Sequence, residues 1–258
     1  MTARFTSPQK RQGEKLVGDV ITSLNPTKEE MQRVLMSKAF QPRLREVFAA
    51  LMLRYFTPLS DKEALVWLMK EARQPKADAR RLIDSCRKGA IAEGKGSDPC
   101  HYATQSGANL KFTIPTLGPC VEDFKYLQDW SFADTLTEHC LVSGVPVALR
   151  ETTNQNLTEQ LQTLRMIEDR WGVPTGFFSR ELIQTVYTAG VALAYHNLTK
   201  QQMFGDLWVR TGTCDADGYR LELDWDQGRL HCGGWRWDGS RSSNLAVAPL
   251  GVTRALGH

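Results

Sequence analysis

The chain has 258 residues, with 32 Lys and Arg against 29 Asp and Glu, 41% hydrophobic and 24% charged residues. That length buries a full core in one large domain or two small ones, and the composition is ordinary for a globular protein. No stretch approaches the roughly 20 consecutive apolar residues of a membrane helix, so no membrane partner is expected. The opening "MTARFTSPQKRQGEKLVGDV" has early positive charge with no apolar run behind it. A signal peptide is therefore not expected, and a cytoplasmic location is.

The net charge of +3 conceals an asymmetry. Residues 1–95 carry 19 Lys and Arg against 11 Asp and Glu, a net of +8, and the remainder carries 13 against 18, a net of −5. A basic part joined to an acidic part suits different partners, and equally suits attraction between the two parts.

Residues 1–24 are polar and read as a flexible segment. "NPTKEEMQRVLMSKAF" then reads as a helix, with Asn25 as cap, Pro26 in the first turn and Glu29 and Glu30 facing the dipole. A second helix covers about 42–56. A third opens at Ser60, where "SDKE" makes a capping box with Glu63. A fourth, "ADARRLIDSCRKG", is expected to close at Gly89. Short strands are expected at 100–105 and 109–114, and Pro115 and Pro119 mark a boundary near residue 118.

Beyond it a helical piece is expected at 121–142 and a strand, "VPVAL", at 145–149. Two further helices follow. One is "NLTEQLQTLRMIEDRWG", with Asn156 and Glu159 as a capping box, and the other is "SRELIQTVYTAGVALAYHNL", begun by Ser179. From about 205 the period becomes two. Tyr219, Leu221, Leu223 and Trp225 point one way, and Arg220, Glu222 and Asp224 the other. A bulge at Gly233–Gly234 would return Trp235 and Trp237 to the side of Leu230. With 206–212 this gives an antiparallel meander of about four strands. The Trp225, Trp235 and Trp237 cluster is either the core face of that sheet or an exposed stacking surface for bases or protein.

The expected fold class is α+β: a flexible segment 1–24, a basic helical domain 25–118 with a winged-helix-like arrangement, and an α+β domain 119–258 ending in a small antiparallel meander. In the winged-helix reading, 77–88 is the groove-entering helix and 100–105 with 109–114 form the wing. Lys76, Arg80, Arg81, Arg87, Lys88, Lys95 and Lys111 are then the candidate phosphate contacts. The leading expectation is a non-enzymatic protein that binds DNA or RNA through this basic part. The alternatives are a scaffold acting by protein–protein contact or self-association, and an enzyme whose site is not visible in the sequence.

Signals for other chemistry are weak. The six cysteines are scattered, and the adjacent pairs Cys100–His101, His139–Cys140 and His231–Cys232 make poor chelates because strand neighbours face opposite ways. No metal and no cofactor is expected. "DADG" at 215–218 lacks the rest of a calcium loop. No GxSxG, P-loop or GxGxxG occurs, which leaves His139 and His196 as the histidines to test as general bases. The segments "NPTKEE" and "RTGTCDADGYRLELDWDQGRLHC" resemble stretches of bacterial proteins of unassigned function. That resemblance implies no activity and no catalytic residue.

Overall fold

Two four-stranded sheets and four α-helices, stacked in alternating layers, make up the described part of the chain. The computed structural model describes residues 57–95, 100–104, 139–145, 147–215 and 217–256, all within one compact unit that begins at Phe48. The expected elements at 25–40, 42–56 and 109–114 lie outside these residues, as do Lys111 and residues 121–138 of the helical piece expected at 121–142, whose end at 140–142 is strand instead.

Strand β1 (Thr57–Leu59) leads into helix α1 (Asp61–Lys70), and the Ser60–Glu63 capping box that opens it is formed as expected. Helix α2 (Lys76–Ala92) follows, then strands β2 (Cys100–Thr104) and β3 (Cys140–Gly144). Gly89 does not end α2. It lies inside the helix beneath Trp171, where a Cβ would overlap the indole ring, so close packing rather than capping demands glycine there.

The wing expected from 100–105 and 109–114 is not formed. Strand β2 is paired on one side with β1 and on the other with β3, which leaves no edge for 109–114. The order of this first sheet is β1-β2-β3-β8, antiparallel throughout, with β8 (Leu250–Arg254) beside β3. It takes strands from both sides of residue 118. The strand expected at 145–149 also shifts to Cys140–Gly144, and "VPVAL" runs on into a short 3-10 turn at Arg150–Thr152.

Every residue of β3 is buried, because both of its faces are covered. Leu141 packs with Leu68, Leu82, Ile83, Leu164 and Trp171 from the helices on one side. Cys140 and Val142 pack on the other side against helix α4 (Thr185–Thr199). Helix α3 (Leu157–Trp171) begins at the expected Asn156–Glu159 capping box and ends at Gly172, whose φ of 82° places it in the left-handed region.

Helix α4 is apolar around its circumference: Val186, Tyr187, Ala189, Val191, Ala192, Leu193 and Ala194 are all buried. Such a helix needs cover on all sides. The first sheet covers one side, and Val209, Leu221, Leu223, Leu230 and Cys232 of the second sheet cover another. Ser179 does not begin α4, since its backbone N–H and hydroxyl both donate to Glu168. The cap falls to Gln184 instead.

The second sheet has the order β6-β5-β4-β7, with β4 at Trp208–Cys214, β5 at Arg220–Asp226, β6 at Arg229–Arg236 and β7 at Leu245–Ala246. The first three strands make the expected antiparallel meander, but β7 pairs with β4 in parallel. A bulge is present one step later than expected. Leu221 faces Gly234 and Arg220 faces Arg236, so Trp235 is the extra residue. The realigned register does not return Trp237 to the core. It is 57% exposed, with its ring 4.4 Å from that of Tyr219, whereas Trp225 packs against the core, so the two readings of the cluster divide between these residues.

Candidate nucleic-acid interface

Helix α2 sorts its side chains by helical period. Ala79, Leu82, Ile83, Cys86, Gly89 and Ala90 turn inward, and Lys76, Arg80, Arg81 and Lys88 turn outward and are exposed. Lys95, just beyond the helix, is exposed as well. Asp84 sits among these cations, and Asp78 lies in the first turn.

The outward cations are not equivalent. The C-terminal end of α3 abuts this face and presents the carbonyls that no helical N–H reaches. Arg81 Nε donates to the Gly172 carbonyl at 3.2 Å, Ser85 Oγ to the same oxygen at 2.8 Å, and Lys88 Nζ to the Arg170 carbonyl at 2.7 Å. Cations at the negative end of a helix dipole are stabilising, so Arg81 and Lys88 hold the two helices together. Arg87 forms an ion pair with Asp61 at the start of α1. No side-chain hydrogen bond or ion pair ties Lys76 or Arg80 to another described residue. Of the expected phosphate contacts, the structure therefore places Lys76, Arg80, Arg81 and Lys88 on one exposed face. It turns Arg87 aside to an internal partner.

Arg80, Arg81, Lys88 and Asp84 line an open hollow of about 530 Å³, with Ser85 and Trp171 at its floor. Two more hollows adjoin it in turn. One, of about 540 Å³, shares Arg81 and adds Phe177 and Arg254. The other, of about 350 Å³, shares Phe177 and Arg254 and adds Arg180, Gln184 and Tyr187.

The wall between them is the loop 174–179, and a fully buried carboxylate builds it. Glu168 accepts from the Gly176 N–H at 2.8 Å, the Ser179 N–H at 2.8 Å, the Ser179 hydroxyl at 2.9 Å and the Phe178 N–H. Glutamate is almost never fully buried without such partners. Sequence reasoning missed Glu168, Phe177, Arg180 and Arg254. They lie far from the basic helix along the chain, and "IEDR" alone does not mark which acidic residue turns inward.

The candidate bases have structural partners. His139 Nε2 accepts the Trp67 indole N–H at 3.0 Å. His196 lies with its ring 4.8 Å from that of Trp225. On the outer face of the second sheet His231 Nδ1 meets Asp224 at 2.9 Å, and burial raises the Asp224 carboxyl above its usual range against the pull of that histidine. Arg220 grips Asp238 through two N–H groups at 2.7 and 3.1 Å, which raises the guanidinium and lowers the carboxyl. Among the described residues no group of three or more His, Cys, Asp or Glu could hold a metal ion, and no helix is long and apolar enough to cross a membrane.

Comparison with family models, curated proteins and solved structures gives no match.

Proposed function

We propose that this chain binds nucleic acid through the exposed face of α2, by contact with backbone phosphates. The observation that carries the reading is the sharing of one solvent face by Lys76, Arg80, Arg81 and Lys88. Lys76 and Arg80 are available outright. Arg81 commits one of its five N–H donors and Lys88 one of its three, so both retain donors for phosphate oxygens. Asp84 and Asp78 temper the field, which favours moderate and salt-sensitive affinity over tight binding.

Binding of this kind releases counterions, and the logarithm of affinity falls with the logarithm of salt by roughly 0.9 per neutralised phosphate. The test is fluorescence anisotropy of a labelled duplex titrated with the full chain from about 50 to 200 mM salt. Lys76→Gln combined with Arg80→Gln is expected to flatten the salt slope by about 2 without lowering the melting temperature. An unchanged slope, or no binding of either a duplex or a single strand at the lowest salt, overturns the proposal.

A further inference from the structure

Resting on that reading, we infer that the form bound is a single strand, which runs along the trough from α2 across Phe177 to Arg180. The three hollows adjoin along one side of the molecule: Arg81 lines the first and the second, and Phe177 lines the second and the third, on the low wall that the strand crosses. The basic residues at the trough's two ends come from separate parts of the chain, with Arg80, Arg81 and Lys88 at one end and Arg180 at the other. Asp84 lies among the first group and Glu181 beside Arg180, so the excess of positive charge sits at the α2 end, where the strand's phosphates are held, and Arg180 meets the strand beyond the ring.

The middle of the trough is aromatic. Phe177 is half-buried and leans on Gly251, where a Cβ would overlap its ring. Its centroid lies 5.3 Å from that of Phe178. The loop that carries it is fixed by the bonds to Glu168, so the ring is placed before any ligand arrives.

A cationic groove with an aromatic platform is the arrangement that follows a single strand, with phosphates on the cations and a base on the ring. In a duplex the bases are stacked on one another and offer no face to Phe177. An unpaired base does, and the third hollow, at about 350 Å³, falls in the range of ligand clefts. Stacking also explains how modest charge could suffice, since every base has a π-face whatever its identity.

The experiment compares a labelled oligothymidylate with a duplex of equal length, both titrated with the full chain at low salt. The wild type is expected to prefer the single strand. Phe177→Leu, which keeps an apolar side chain over Gly251, and Arg180→Gln, at an exposed position, are each expected to reduce that preference. The reduction expected for Phe177→Leu is roughly tenfold, the scale of one lost base stack. Melting temperatures are recorded alongside, and Arg180→Gln keeps the test decisive should Phe177→Leu unfold. Duplex binding equal to or tighter than single-strand binding, or an unchanged preference in Arg180→Gln, overturns the trough while leaving nucleic-acid binding standing. Failure of both ligands to bind overturns the two together.

Discussion

Replacing Glu168 with Gln isolates the carboxylate that shapes the loop. The change is nearly isosteric, so it creates no cavity, and what is lost is acceptor capacity. One oxygen of Glu168 accepts the Phe178 and Ser179 N–H groups, and the other accepts the Gly176 N–H and the Ser179 hydroxyl. A glutamine carbonyl in the first position keeps the former pair, but as neutral bonds, each weaker by about 1 kcal/mol. Its NH₂ group then faces the Gly176 N–H, donor against donor. The Ser179 hydroxyl can rotate to accept, but the Gly176 N–H cannot. Losing that bond inside the protein costs about 2 kcal/mol more, and relief of carboxylate burial returns part of the total. The net expectation is a loss of about 3 kcal/mol, or roughly 6–12 °C in melting temperature for a chain of this size. Urea unfolding followed by tryptophan fluorescence measures it. Asp169→Asn serves as the control, one residue along on the exposed side of α3, and is expected to stay within about 0.5 kcal/mol of wild type. If Glu168→Gln and Asp169→Asn unfold at the same urea concentration, the loop is not held by this carboxylate.

Three further expectations follow from single contacts. Gly212→Ala puts a Cβ onto the Leu182 carbonyl oxygen, a backbone atom that cannot swing aside, and a loss of about 1–3 kcal/mol is expected in the same assay; an unchanged midpoint would show that the two segments separate easily. Arg220 holds the Asp238 carboxyl below its usual range, so the stabilisation is complete above the unfolded carboxylate value near pH 4 and fades as pH falls through the lower folded value. Asp238→Asn should therefore lie below wild type in urea midpoint at pH 7 and approach it at about pH 3; a gap independent of pH would contradict the pairing. Burial pushes the Cys86 thiol up to about 12, so iodoacetamide at pH 8 should label half-exposed Cys214 and spare Cys86 until the chain is denatured; peptide mass spectrometry decides, and native labelling of Cys86 at the rate of Cys214 would refute it.

Legibility from sequence tracks how local each cause is. The caps at Ser60–Glu63 and Asn156–Glu159 are made by residues three apart, and both form as read. The meander is carried by a two-residue period and also forms, but its bulge is one step off, because alternation alone does not say which residue loses its partner. Gly89 and Ser179 depart from their local signals for a common reason. Each is a good local stop or start signal, and each is claimed by a distant group, the Trp171 ring and the Glu168 carboxylate. The wing failed likewise: β2 has a suitable strand sequence, but its neighbours come from 57–59 and 140–144 rather than from the next residues along. The hollows were beyond reach altogether, since Arg81, Phe177 and Arg254 meet only once α2, the loop after α3 and the first sheet are assembled.

The same distinction governs what charge can say about partners. Counting Lys and Arg treats every cation as a free surface charge, and by that count the basic helix is uniform. Once folded, it divides by geometry. The helical period puts four cations outward, and the carbonyl-bearing end of α3 then takes a hydrogen bond from two of them. Those two remain exposed, so the contact orients them instead of hiding them: an arginine and a lysine fixed at one end lose less freedom on meeting a phosphate than free side chains would. Lys76 and Arg80 have no such anchor and would pay that entropy in full on binding. The anchored pair would then contribute more affinity per charge, while the unanchored pair is the cleaner place to test for binding, because neutralising it leaves the α2–α3 contact intact.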